Sequence, residues 1–289
     1  FFFQAEDGIR DYKVTWSSDV CSSDLAEANL LDDPLRLLRG LRLASELGFQ
    51  LESQTAAWIQ QHRQQLTGVA GERILAELEK LCRSPEGHRG LQRCLDWGLL
   101  APWQHNGSAS AALEPLSRQR AEALGLRAEE WQDALPLARM AAILDGAGLQ
   151  QLKSSRKLQQ RVQRLRQWQQ RLGPDAPESR AEGLAEPERL KLHRELSGDL
   201  PALLLHWGPN AVQHWLERWR NPEDRLFHPQ APINGDQLQR ELGLKASPQL
   251  GSLLQFLMLE QAFGRLHDTA EALEAARRWL KRQEEGTPP

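Results

Sequence analysis

From residue 26 onward, apolar side chains recur at intervals of three and four, and strand-like alternation is absent. That spacing is the mark of amphipathic helices packed on one another. It predicts helices over residues 53–66, 71–81, 88–97, 116–124, 128–144, 149–172, 187–196, 200–207 and 211–219. Near the C-terminus, Gly243 stops one helix and Ser247-Pro248 starts another. A last helix follows the capping pair Asp268 and Glu271 and ends near Lys281. Leu, Ala, Gln, Glu and Arg dominate while Val, Ile and Thr are scarce, which favours helix over strand. The expected fold is all-α: a multi-helix neck over 26–103, a body over 113–221 and a tail over 231–283. Residues 104–111, with Asn106-Gly107-Ser108, read as the linker from neck to body.

The chemistry concentrates at the start of the neck, in Asp32-Asp33-Pro34-Leu35-Arg36-Leu37-Leu38-Arg39-Gly40-Leu41-Arg42. Asp33 before Pro34 is a helix-start signal, a side-chain acceptor followed by a residue suited to the first helical position. Arg36, Arg39 and Arg42 then recur every third residue and fan over one broad face, with Leu35, Leu38, Leu41 and Leu43 between them. A carboxylate only accepts hydrogen bonds and a guanidinium only donates them. Side by side they form an acceptor–donor pair that suits cytosine and adenine, whose exocyclic amine lies next to an unprotonated ring nitrogen. Uracil and guanine present the opposite pattern. Such a contact discriminates by about 1–3 kcal/mol. Asp33 would accept and Arg36 donate, leaving Arg39 and Arg42 for phosphate oxygens. Read alone, the same motif is a helix cap with a surface ion pair.

The string D-D-P-L-R-L-L-R-G-L-R-L-A-S-E-L-G-F, followed by G-E-R-I-L-A-E-L-E-K-L at 71–81, resembles the neck of the bacterial tRNA nucleotidyltransferase / poly(A) polymerase family. That family includes CCA-adding, CC-adding and A-adding enzymes. The resemblance implies that Asp33 and Arg36 pair with the base of CTP or ATP, and that Arg39 and Arg42 line the nucleotide site. It also implies that Arg73 and Glu77 brace the neck helices. Asp32 stands where the family often has Glu. In the family an α/β head precedes the neck and carries paired carboxylates for two metal ions. Mg2+ is therefore implied for a full enzyme, with its ligands in that head, and no metal site is expected in this chain.

No such head precedes Asp32, so the chain is expected to be a truncated enzyme, inactive by itself. Residues 1–25 lack an initiator Met, repeat Ser-Ser-Asp and show no periodicity. They look like translated sequencing-adapter read-through and are expected to be disordered. The chain's formal charge is −3, and this segment holds five acids (Glu6, Asp7, Asp11, Asp19, Asp24) against two bases (Arg10, Lys13). The remainder is thus formally neutral. Only Cys82 and Cys94 remain beyond Cys21, without metal spacing, which suggests a reducing cytoplasm. No apolar stretch is long enough to span a membrane.

Against this neutral background, residues 149–172 carry Lys153, Arg156, Lys157, Arg161, Arg164, Arg166 and Arg171 and no acid. A phosphate backbone needs only such a stripe. In the tail, I-N-G-D-Q-L at 233–238 and the stretch through Gly251 resemble the family's element that holds the tRNA elbow. There Lys245 precedes free amides at the Ser247-Pro248 helix start. His267-Asp268 reads as a helix start rather than a metal dyad, and most of the ten Trp read as core. The expected function is base selection from CTP and ATP together with tRNA docking. The alternatives are a stand-alone helical RNA-binding module and a helical protein-interaction scaffold.

Overall fold

The computed structural model describes residues 3–4, 23–104 and 113–284. In chain order the helices are α1 (Ser23–Asp32), α2 (Arg36–Leu47), α3 (Ser53–Gln61), α4 (Gly71–Arg83), α5 (Gly87–Asp96) and α6 (Arg118–Ala123). They continue as α7 (Ala128–Ile143), α8 (Gly146–Gln151), α9 (Arg156–Leu172), α10 (Pro177–Glu182) and α11 (Glu186–Glu195). The last are α12 (Leu200–Leu204), α13 (Pro209–Arg220), α14 (Gly235–Leu242), α15 (Pro248–Ala262) and α16 (Thr269–Glu284). The fold is all-α. Among the described residues the one departure is a two-residue antiparallel pairing of Phe3–Gln4 with Gln50–Leu51. Apart from that pairing and the start of α1, the expected disorder of residues 1–25 lies outside the described residues. So does nearly all of the linker over 104–111.

The chain forms two compact units, Phe1–Arg171 with Pro201–Trp207, and Leu172–Leu200 with Gly208–Pro289. In the first, α2 packs on α4 and α5, and α4 packs in turn on α7. Leu37, Leu38 and Leu41 of α2, Ile74, Leu78 and Leu81 of α4, and Leu91 and Cys94 of α5 are essentially inaccessible to solvent. Each such side chain contributes about 1.5–3 kcal/mol by leaving water. Leu91, Cys94, Leu99 and Leu100 are buried in this bundle, and Leu95 is half-buried.

In the second unit, α14, α15 and α16 enclose a core of Ile233, Leu238, Leu253, Leu257, Ala272 and Trp279. Asn234 caps α14 through Gln237 N at 2.8 Å, and Gly243, at φ +65°, ends it in the left-handed conformation glycine adopts freely. Ser247 caps α15 through Leu250 N. A second apolar centre joins His193 to Trp215 and Phe227, with ring centroids 5.1 and 4.1 Å away.

Three local expectations are corrected. The single helix over 149–172 is two, α8 and α9: Lys153 turns left-handed at φ 55°, and Ser155 Oγ accepts Leu158 N, capping a new start. The helix expected over 53–66 ends at Gln61 and gives way to a 3-10 stretch over Arg63–Gly68; Glu52 caps it, its carboxylate accepting Gln54 N at 2.9 Å and Thr55 N at 2.8 Å. In the α16 capping box, Asp268 Oδ1 accepts Glu271 N, but the returning Glu271 carboxylate takes His267 N instead of Asp268 N. Helices α1 and α10 were not anticipated.

Candidate functional site

Asp33 sits at the corner between α1 and α2. Its carbonyl accepts Arg36 N at 2.9 Å, and its Oδ1 accepts Leu35 N at 3.3 Å. The helix expected from Pro34 therefore opens two residues later, with Leu35 in the cap position. Proline supplies no amide and fixes the turn. Asp33 still caps, but for the corner. Its carboxylate consequently projects beside α2, where α4 comes alongside.

From α4, Arg73 reaches back across the corner, its Nη2 lying 3.1 and 3.3 Å from the two Asp33 oxygens. Arg39 Nη1 stands 4.0 Å from the same carboxylate. One helical turn beyond Arg73, the buried Glu77 receives Arg39 Nε at 3.2 Å on one oxygen and Arg42 Nε at 2.8 Å on the other. Burial pushes the Glu77 carboxyl up, but the hydrogen bonds from Arg39 and Arg42 and the charges of Arg42 and Lys80 outweigh it and hold it below the usual value. Arg42 also grips Glu46 one turn along its own helix; burial lowers its pKa, and the bonds to Glu46 and Glu77 raise it further than that.

The four residues named as nucleotide contacts thus divide. Asp33 and Arg39 meet, Arg42 is drawn to Glu77 and Glu46, and Arg36 turns toward α1, donating Nη1 to the Asn29 carbonyl. Arg73 and Glu77 bind directly to members of that set, so the two predicted groups form one network.

Of the residues named for RNA, Arg156, Lys157 and Arg164 are exposed on α9 and Arg161 is half-buried. Lys153 is tied to Glu72 of α4 at 2.8 Å. Arg166 turns inward to the carbonyls of Ala141 and Leu144. Lys245 is exposed two residues before the Ser247 cap. Sequence reasoning passed over Arg139, the lone charge in residues 134–144. It is fully buried and donates to the carbonyls of Leu116, Cys82 and Ser84 at 2.8–2.9 Å. Among the described residues no group of three His, Cys, Asp or Glu side chains is arranged to hold a metal ion, and no helix is long and apolar enough to cross a membrane.

Comparison with known proteins bears on the fold. Residues 48–106 match the family described as the probable RNA and SrmB-binding site of polymerase A. The CC-adding tRNA nucleotidyltransferase of Synechocystis sp. is 28% identical over 87% of this chain and 65% of its own length. A CCA-adding enzyme solved with ATP superposes with a TM-score of 0.62 at 18% identity, over 88% of this chain and 62% of that one. The Thermotoga maritima CCA-adding enzyme, solved with tRNA, gives 0.59 at 18% identity, over 88% and 63%. The fold is the helical architecture of CCA-adding enzymes. Over most of its length the chain is similar to CC-adding and CCA-adding tRNA nucleotidyltransferases. It spans about two thirds or less of the length of these relatives.

Proposed function

We propose that this chain serves the addition of nucleotides from CTP and ATP to the 3′ end of tRNA. The neck (residues 26–103) selects the base, and the body (113–221) and tail (231–283) dock the tRNA. The observation that carries this reading is the braced carboxylate at the α1–α2 corner. A carboxylate offers about four acceptor positions. Leu35 N and Arg73 engage three, which leaves Oδ2 capacity for one exocyclic amine. Arg36, one turn away, supplies the donor for the neighbouring ring nitrogen. The relatives solved with ATP and with tRNA support both partners.

Mg2+ does not fit the residues described. Asp33 and Glu77, the carboxylates at the site, are each engaged by two arginines, whose charge repels a cation. No chemical step is therefore assigned to a metal held by this chain. Nucleotidyl transfer itself is assigned to a protein in which this neck works with a metal-binding head; the residues described here bind and orient. We place this work in the cytoplasm, where the free thiols of Cys82 and Cys94 fit a reducing compartment.

The test uses the chain with CTP, ATP, UTP and GTP in saturation-transfer NMR, and with labelled tRNA in fluorescence anisotropy at low salt. CTP and ATP should give the stronger transfer, and Asp33→Ala and Arg36→Ala should erase that difference while tRNA binding persists. Equal transfer from all four nucleotides with tRNA binding intact would leave the second reading, an RNA-binding module without base selection, which the match over residues 48–106 favours. Loss of both would leave a protein-interaction scaffold.

A further inference from the structure

Between the end of α4, the turn after it, α6 and α7 lies a cavity of about 380 Å³ that shares no residue with the α1–α2 corner. Its wall is basic. Arg83, Arg118 and Arg139 line it, and Asp133, exposed at the rim, is the one carboxylate among the lining residues.

Each arginine is held differently. Arg139 is 1% exposed, with Nε and one terminal nitrogen committed to three main-chain carbonyls, and its buried Nη2 has no acceptor among the described residues. No carboxylate hydrogen-bonds to it, and burial pushes its pKa down to about 10 despite the charge of Glu86 nearby. A buried cation without a bonded counter-charge is unfavourable, and an anion beside it relieves that cost. Arg118 lies over the Trp131 ring, 4.9 Å from its centroid, and is anchored by Nε to Glu122 at 2.7 Å. That leaves its terminal nitrogens without partners among the described residues. Arg83 is exposed and makes no hydrogen bond or ion pair among them. One wall thus brings together a fixed buried charge, a guanidinium propped on an aromatic ring and a free guanidinium. Beyond the bonds named, nothing among the described residues takes up these donors.

We propose that this cavity is a phosphate site, in which Arg83 and Arg118 bond a phosphate of an RNA backbone and Arg139 balances its charge from behind the wall. Arginine forks suit phosphate oxygens, and a single phosphate fits the volume. Phosphate recognition rests on these residues alone. The choice of RNA as its source rests on the function proposed above and on the overlap of this wall, at Cys82–Pro85, with the matched segment 48–106.

The experiment uses the full chain with sodium phosphate, ionic strength being held constant with sodium chloride, and follows thermal unfolding. The wild-type Tm should rise with phosphate, as for any ligand that binds the native state. Arg83→Gln and Arg118→Gln, both on the exposed side of the wall, should lose that rise, and Arg277→Gln on α16 should keep it. In parallel, the slope of log affinity for tRNA against log salt should fall by about 1 in Arg83→Gln. Absence of a phosphate-dependent rise in the wild type, or an equal rise in all variants, overturns the site. A rise lost in the variants with an unchanged tRNA slope keeps the phosphate site but overturns RNA as its source in favour of a free nucleotide. Failure of the wild type to bind tRNA at all counts against the proposed function and leaves the phosphate result standing.

Discussion

Glu77 on α4 accepts the Arg42 Nε proton of α2 at 2.8 Å, with the glutamate side chain 5% exposed and the arginine 15%. Its other oxygen holds Arg39, so a single carboxylate fixes two turns of the arginine face.

Glu77→Gln should cost about 2–4 kcal/mol at pH 7. That is slightly less than the loss of a fully buried pair, because Arg39 is 40% exposed. The folded carboxyl is held below its ordinary 4.5, so its contribution is present above that pH and is lost as pH falls through the folded value. Urea unfolding at pH 7 and pH 4 checks both statements: the gap between wild type and variant should narrow in acid.

Arg73→Gln separates bracing from base selection. The Arg73 side chain is 53% exposed, so the ion pair with Asp33 contributes less than about 1 kcal/mol to stability. The preference for CTP and ATP should nonetheless fall as in Asp33→Ala, because the carboxylate loses the partner that orients it. An unchanged preference in saturation-transfer NMR would reduce Arg73 to a structural contact.

His193 is 1% exposed, and among the described residues neither ring nitrogen has a hydrogen-bond partner. Burial, reinforced by the charges of Arg189 and Arg218, pushes its pKa down to about 3 from 6.5. A base whose folded pKa is lowered contributes full stability above pH 6.5. It loses about 1.4 kcal/mol per unit as pH falls toward 3, since the unfolded chain takes up the proton first. His193→Phe should abolish that slope and raise Tm at pH 5 while changing it little at pH 8. Parallel Tm curves for the two proteins would contradict the assignment.

Gly87→Ala should destabilise by about 1–3 kcal/mol through overpacking. The added methyl would collide with the Leu81 carbonyl and stand 2.6 Å from Arg139 Nη1. At Gly146, the first residue of α8, a methyl meets nothing within 4 Å. Gly146→Ala should therefore be neutral or stabilise by up to about 1 kcal/mol. Thermal unfolding of the pair distinguishes close packing from backbone entropy.

What could be read from the chain follows from what is local. The apolar spacing marked α4 and α5 almost to the residue, and in the tail Gly243 acts through its own backbone and Ser247 through its own side chain, both within a few residues along the chain. The break at Lys153 was hidden because a run of helix formers surrounds it and only Ser154-Ser155 interrupts the pattern. The pairing of charges was less legible still. Spacing along α2 puts Arg39 and Arg42 on a face, but their partner Glu77 comes from 38 and 35 residues away, and only the packing of α4 on α2 decides it. Arg139 gave a signal, a single charge in an apolar run, whose meaning required the three carbonyls that surround it.

The Asp33–Arg73 contact has a mechanical side. The backbone of Asp33 belongs to the corner between α1 and α2, while its carboxylate is moored to α4. A small slide of α4 along α2 would swing that carboxylate about its own Cα long before any leucine between the two helices lost contact. Asp33 therefore works as the pointer of a gauge set between two helices, and its angle reports their register.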